Sequence, residues 1–244
     1  MVLFWQLMSA LLVIMLSKAA FASGIGNVGG SSIKAGRQSI EWRTSVQVED
    51  ESNSQDQRVR TRLHYQYAPT GWYNFRIIGA GDKRENDNLE FDSAGMEHWF
   101  QFLEDEQDGL DATFRVTYSY KDEDKGASSL GLNFTAQQTI NKWEWRINQI
   151  FGHEVGPQSS GGITPQTRFQ ITHAIDENFK LGAGWFSNFG KLSDNLSFQE
   201  QSHSFGPVLK GKLGDGYFFQ TGYRTGLSQG AEDHLVKFFI GRNF

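Results

Sequence analysis

Residues 232–244 read Glu-Asp-His-Leu-Val-Lys-Phe-Phe-Ile-Gly-Arg-Asn-Phe, and this stretch decides the fold. Every second side chain falls on the same face of an extended segment. One face of the stretch is apolar and comprises Val236, Phe238, Ile240 and Phe244. A period of two predicts a β-strand with one apolar face. Because any amphipathic strand alternates in this way, the fold depends on whether the rest of the chain repeats the pattern.

The pattern does repeat upstream, as units of about ten residues of alternation followed by a polar break. The predicted strands cover residues 38–49, 58–68, 72–81, 94–103, 110–120, 128–138, 142–151, 166–175, 179–187, 203–213, 216–225 and 232–244. Their number is even, and each has roughly the 9–11 residues that a tilted strand needs to cross a bilayer. In strand four the alternation is ambiguous in phase.

The breaks between these strands alternate in length. The first, third and later odd-numbered breaks are mostly long, whereas the even-numbered ones are short and turn-like, as in Pro69-Thr70-Gly71. Long loops on one side of a membrane and short turns on the other are typical of outer-membrane barrels. The sequence therefore predicts an all-β protein, a single antiparallel up-and-down transmembrane β-barrel of about twelve strands.

The composition agrees with this prediction and excludes other classes. The 244 residues include 20 Phe, 7 Trp and 7 Tyr but no Cys, so disulfides, thiolate metal sites and Cys nucleophiles are excluded. The mean hydropathy of −0.49 is negative, and no apolar run long enough for a membrane helix follows the N-terminus. We expect no cofactor, no metal site and no nucleic-acid partner.

The N-terminal region has the pattern of an export signal. Residues 7–16 are an apolar core, and Ala20-Phe21-Ala22 is an A-x-A cleavage site. No Lys or Arg precedes the core, so an uncleaved helical anchor is the alternative. We predict a signal peptide at 1–22, a flexible periplasmic lead-in at 23–37 that is rich in Gly and Ser, and an outer-membrane β-barrel at 38–244.

The closing strand resembles the C-terminal strand of Gram-negative outer-membrane barrels, which ends on an aromatic residue such as Phe244. That resemblance implies an outer-membrane location, contact with outer-membrane lipid and lipopolysaccharide, and recognition by the barrel-assembly machinery. The length, strand number and Arg-rich strands resemble the small monomeric porins specific for oligogalacturonates, in architecture only. This second resemblance implies a barrel that acts as a monomer, and the transported solute does not follow from it.

The face opposite the apolar one is strongly basic. The candidate pore-lining residues are Arg43, Arg60, Arg62, Arg76, Arg115, Arg146, Arg168, Lys180 and Arg224, and Lys210 and Lys237 share their face. Acids on this face are few, namely Glu41, Glu97 and Glu144. We expect a narrow, water-filled lumen that attracts small anions, because Arg stays charged and binds carboxylates bidentately. In the alternative, the side chains fill the interior and carboxylates from the loops pair with them.

Two other functions remain open at this stage. One is a closed barrel that binds partners through its acidic loops, and the other is a barrel enzyme that acts on outer-membrane lipids. An enzyme of that kind needs a Ser and a His on the lipid-facing side, and none of the six His residues has Ser two positions later. His203 and Ser204 are adjacent and point to opposite faces. We therefore predict no catalytic residues, although a Ser–His pair formed across two strands stays possible.

Overall fold

The computed structural model describes residues 25–49, 55–84, 87–105, 107–122 and 125–244. The predicted signal peptide, 1–22, lies outside these residues. Within them, no helix is both long enough and apolar enough to cross a membrane.

The described chain forms a closed antiparallel barrel, so the predicted fold class is confirmed. Each strand pairs with its neighbours in sequence, and the first strand pairs with the last. The strands are β1 (Gln38–Val48), β2 (Val59–Tyr67), β3 (Tyr73–Lys83), β4 (Glu90–Asp105), β5 (Leu110–Lys121), β6 (Ser128–Ile140), β7 (Trp143–Val155), β8 (Ile163–Ala174), β9 (Phe179–Asn188), β10 (Ser202–Gly214), β11 (Tyr217–Gly226) and β12 (His234–Asn243). Closure leaves no strand edge unpaired, as a membrane interior requires.

The two ends of the barrel differ. At the short-turn end the connections are 68–72, 106–109, 141–142, 175–178 and 215–216; at the long-loop end they are 49–58, 84–89, 122–127, 156–162, 189–201 and 227–233. One of the two-residue turns joins β10 to β11, where Gly214 pairs with Tyr217. Between them Asp215 and Gly216 have φ angles of 48° and 80°, the left-handed values that a type I′ hairpin needs.

The outer wall is apolar. Large side chains such as Leu63, Ile77 and Val236 are about half exposed, which is unusual for a soluble protein but expected where lipid covers the wall. Trp72, Trp143 and Tyr217 flank the short turns and are also exposed, as in the aromatic girdles of membrane barrels. In β4 the ambiguous phase is settled, because Met96 points outward and Trp99 is buried in the interior.

The lead-in predicted at 23–37 is described from residue 25 onward. Residues 25–33, called here the luminal segment, enter the barrel from the short-turn end and lie inside it, with Ile25, Val28, Ser31 and Ile33 buried. Residues 34–37 then connect the segment to β1, through a turn in which the backbone N–H of Gly36 donates to the carbonyl of Ala68 at 2.7 Å. Side chains of the barrel wall pair with polar groups of the luminal segment, which explains why it is held inside.

Candidate functional site in the barrel lumen

The interior face carries ion-pair clusters, each built around one of the acids predicted there. Glu97 on β4 contacts Arg76 on β3 at 3.1 Å and Arg115 on β5 at 3.3 Å. The indole N–H of Trp99 donates to the same carboxylate at 3.0 Å. Both guanidinium groups lie over the Trp99 ring, with their central carbons 4.7 and 4.8 Å from its centroid. The antiparallel register brings these side chains together, since Arg76 pairs with Glu97 and Trp99 with Arg115.

A second cluster surrounds Glu144 on β7. Its carboxylate lies 2.9 Å from Arg146, 2.8 Å from Lys180 and 3.8 Å from Lys210. A third, smaller cluster pairs Arg43 with Glu41 on β1. The three interior acids thus contact six of the eleven predicted interior cations.

The remaining cations are near the middle and the long-loop end of the barrel. Arg60 lies 4.0 Å from Glu232 of a long loop, so one loop carboxylate does reach an interior cation. Arg224 and Lys237 lie over the Phe186 ring at 4.2 and 4.5 Å. All the predicted pore-lining residues are buried or half-buried on the interior face; they are Arg43, Arg60, Arg62, Arg76, Arg115, Arg146, Arg168, Lys180 and Arg224.

The luminal segment is hydrogen-bonded by wall residues from several strands. Asn148 accepts from the backbone N–H of Gly29 at 2.7 Å and donates to its carbonyl at 3.1 Å. Lys237 donates to the carbonyl of Gly26 at 3.3 Å. Arg168 donates to the carbonyl of Asn27 at 3.1 Å. Such contacts join residues far apart in sequence and bind the segment as an extended chain.

The part of the luminal segment nearer the short-turn end is also hydrogen-bonded to the wall. The Ser31 hydroxyl donates to the carbonyl of Asp111 at 2.9 Å, and the Ile33 N–H donates to Gln101 at 2.7 Å. Glycine permits the close approach, because a Cβ at Gly30 would lie 2.6 Å from the Gln137 side-chain oxygen. The narrow lumen of a twelve-stranded barrel therefore accepts this Gly-rich sequence.

The free energies that hold the segment in place nearly cancel. Burying Ile25, Val28 and Ile33 contributes roughly 5–9 kcal/mol, and the hydrogen bonds contribute roughly 4–10 kcal/mol. Ordering the backbone of the segment opposes them by roughly 9–18 kcal/mol. The segment is thus bound by many weak contacts with a small net free energy.

A second group of polar side chains lies on the outer wall, near the long-loop end. The structure brings Ser187 of β9 and His203 of β10 together across the strands, with Ser187 Oγ 2.9 Å from His203 Nδ1. His203 Nε2 lies 3.0 Å from the Gln201 side-chain oxygen, and the Trp185 indole N–H donates to Ser187 Oγ at 2.7 Å. The ring of Phe198, from the 189–201 loop, stacks on the imidazole at 4.3 Å between centroids. Sequence spacing could not find this pair, because the register between β9 and β10 creates it.

Metal ligation finds no support among the residues that the structure describes, where no group of three or more His, Asp or Glu side chains is placed to hold an ion. The chemistry available in the lumen is therefore that of charged and hydrogen-bonding side chains.

Several solved structures are similar to this barrel. The chain matches the COG4313 outer-membrane channel from Pseudomonas putida F1 with a TM-score of 0.64, at 8% identity over 92% of this chain and 100% of the other. It matches the NanC porin with a TM-score of 0.61, at 10% identity over 84% of this chain and 98% of the porin.

A KdgM porin in complex with disordered oligogalacturonate gives a TM-score of 0.56, at 8% identity over 84% of this chain and 98% of the porin. The chain has the architecture of the small outer-membrane porins. The predicted resemblance is confirmed at that level, since such low identities establish the fold alone. Comparison with family models and with curated proteins gives no match.

Proposed function

We propose that this protein is an outer-membrane channel of the porin type, through which small anionic solutes diffuse along a basic lumen. The observation that carries the proposal is the excess of cations on the interior face. Six of these cations pair with three acids, and the remaining ones lie near the middle and the long-loop end of the barrel. Cations held on opposite walls of a narrow lumen attract anions and repel cations. The porin architecture and the apolar outer wall support the membrane location.

The predicted partners follow from the same geometry. The outer wall would contact outer-membrane lipid and lipopolysaccharide, and the chain would act as a monomer. The closing strand, with Val236, Phe238, Ile240 and Phe244 on its outward side, would be recognised by the barrel-assembly machinery during insertion. Export would use the signal peptide at 1–22.

The proposal is tested by anion flux into liposomes that contain the full chain and a halide-sensitive dye. We expect iodide entry to exceed potassium entry. Arg62→Gln, which removes one interior charge, should lower this preference. Lys125→Gln is the matched control, because it removes the same charge from a loop, where Lys125 pairs with Glu90 at 2.7 Å. Equal preference for iodide in the two variants would refute the proposal that the interior cations of the lumen attract the anions.

A second candidate function rests on the Ser187–His203–Gln201 arrangement, in which a base is within reach of a nucleophile and is oriented by a third group. On this reading Ser187 Oγ bonds to the carbonyl carbon of a lipid ester while His203 takes its proton and passes it to the departing alcohol. Water then hydrolyses the acyl-enzyme. The pair lies on the outward side of β9 and β10 but is buried beneath the 189–201 loop, so a lipid ester would reach it only after that loop moves away.

A fluorophosphonate probe separates this candidate from a structural role of the pair. Labelling of the folded barrel that is lost in Ser187→Ala and in His203→Ala would support a hydrolase. If the folded barrel takes up no probe, the pair serves only to attach the 189–201 loop to the wall.

A further inference from the structure

Arg168 and Lys237 are interior cations whose hydrogen bonds go to neutral oxygens. Arg168 donates to the carbonyl of Asn27 at 3.1 Å and to the Gln166 side chain at 3.0 Å. Lys237 donates to the carbonyl of Gly26 at 3.3 Å. Among the residues described, no carboxylate lies within 4.0 Å of either cation. The carbonyl groups of the luminal segment therefore occupy positions that suit an anion better.

The surroundings of these cations increase this preference. Lys237 shares the Phe186 ring with Arg224 and the Phe239 ring with Arg43, at centroid distances of 4.2 to 5.7 Å. Several positively charged side chains are thus concentrated in a buried space. Hydrogen bonds between a cation and a carboxylate are roughly twice as strong as those between neutral groups. A carboxylate placed here would gain more than the peptide carbonyls of Gly26 and Asn27 do.

We propose that Arg168 and Lys237 form an anion-binding site, and that the luminal segment is its displaceable occupant. A carboxylated solute that binds the two cations displaces residues 25–33 and so opens the lumen to its own passage. The near balance of the free energies holding the segment makes such an exchange accessible. This inference rests on the proposed channel function, although the binding site and its occupant can be tested without measuring current.

The test uses a disulfide to report where the segment lies. A Cβ at Gly29 would be 3.5 Å from the Asn148 side-chain oxygen, so Gly29→Cys and Asn148→Cys place two thiols within bonding reach. The chain has no other cysteine, and both changes leave Arg168 and Lys237 in place, with Asn148 being the cross-strand neighbour of Arg168. The rate of disulfide formation in the full-length double variant then measures how often the segment occupies the lumen.

Sodium malonate is the probe, and sodium chloride at equal ionic strength is its control. We expect malonate to slow disulfide formation by about tenfold, in proportion to the fraction of molecules from which the segment is displaced. Adding Arg168→Gln should abolish the effect of malonate, whereas Lys142→Gln, which removes an exposed charge at a turn, should preserve it. Rapid disulfide formation that malonate does not slow would overturn the proposal, and so would a pair of thiols that never joins in the folded barrel.

Current through the same variant tests the channel function separately from the binding site and its occupant. With the disulfide closed, we expect a smaller chloride current than after reduction. Malonate-sensitive disulfide formation without any current in either state would refute the channel while leaving the binding site in place. Equal currents in the closed and reduced states would refute the role of the segment in closing the lumen while leaving the channel in place.

Discussion

Replacing Glu97 with Gln should destabilise the barrel strongly. The Glu97 carboxylate is buried in the wall and is shared by Arg76 and Arg115, and the Trp99 indole also donates to it. The substitution keeps the size of the side chain and removes its charge. Two guanidinium groups then remain in the interior without the carboxylate that neutralised them.

The expected magnitude follows from the burial of the cluster. The side chains of Glu97, Arg76 and Arg115 are 9%, 12% and 14% exposed, so solvent screens their charges little. Removing one partner of a buried ion pair lowers the free energy of unfolding by about 3–5 kcal/mol. With a denaturant dependence of about 1–3 kcal/mol per molar urea, the midpoint should fall by roughly 1–5 M. Both guanidinium groups keep their contact with the Trp99 ring, which places the expected loss at the lower end of this range.

The assay is urea unfolding of the refolded barrel, followed by tryptophan fluorescence. Glu90→Gln is the matched control, because Glu90 lies on the same strand and pairs with Lys125 at 2.7 Å, but its side chain is 62% exposed. We expect no measurable loss for the control, since exposed pairs contribute little. Removing Arg115 together with Glu97 should recover part of the loss. If Glu97→Gln and Glu90→Gln unfold at the same urea concentration, the cluster does not stabilise the wall.

Three further predictions concern the turns, the loops and the closing strand. Gly216→Val should lower stability more than Gly214→Val, because both positions have a positive φ but only at Gly216 would a Cβ lie 2.3 Å from the carbonyl of Asn243; thermal unfolding compares the two. Burial raises the pKa of the Glu49 carboxyl, so its contact with the 227–233 loop should weaken as pH rises from the ordinary Glu pKa to the raised one. Amide exchange in the 49–58 loop should therefore depend on pH in this range, and Glu49→Gln should remove that pH dependence. Deleting Phe244 should reduce assembly in cells much more than refolding in detergent, and equal losses in both assays would argue against recognition by the assembly machinery.

Alternation with a period of two was sufficient to predict the twelve strands and, except in the fourth, the face on which the side chains lie. It succeeded because lipid and lumen impose opposite polarity on neighbouring residues. The luminal segment was missed for a physical reason: a Gly-rich stretch without periodicity has no local preference, and its position depends on residues such as Asn148 and Lys237, which are 119 and 211 positions away from their partners. The Ser187–His203 pair was missed because strand register is a tertiary property.

The sequence also did not show which cations each interior acid contacts. Counting charges treats each acid as one partner, whereas the barrel wall brings three cations around Glu144 and two around Glu97. Cross-strand neighbours supply these contacts, and their identity depends on register. Three carboxylates cannot balance the charge of the eleven predicted interior cations, and Arg168 and Lys237 have no described carboxylate within 4.0 Å.

The central claim is that anions pass through the interior of this barrel. The reversal potential of the refolded full chain in a planar bilayer, across a gradient of potassium chloride, tests it most directly. The account predicts a reversal potential of the sign that chloride permeation gives, with currents that open and close as the luminal segment leaves and returns. A reversal potential of the opposite sign, or a folded barrel that carries no current, would contradict it.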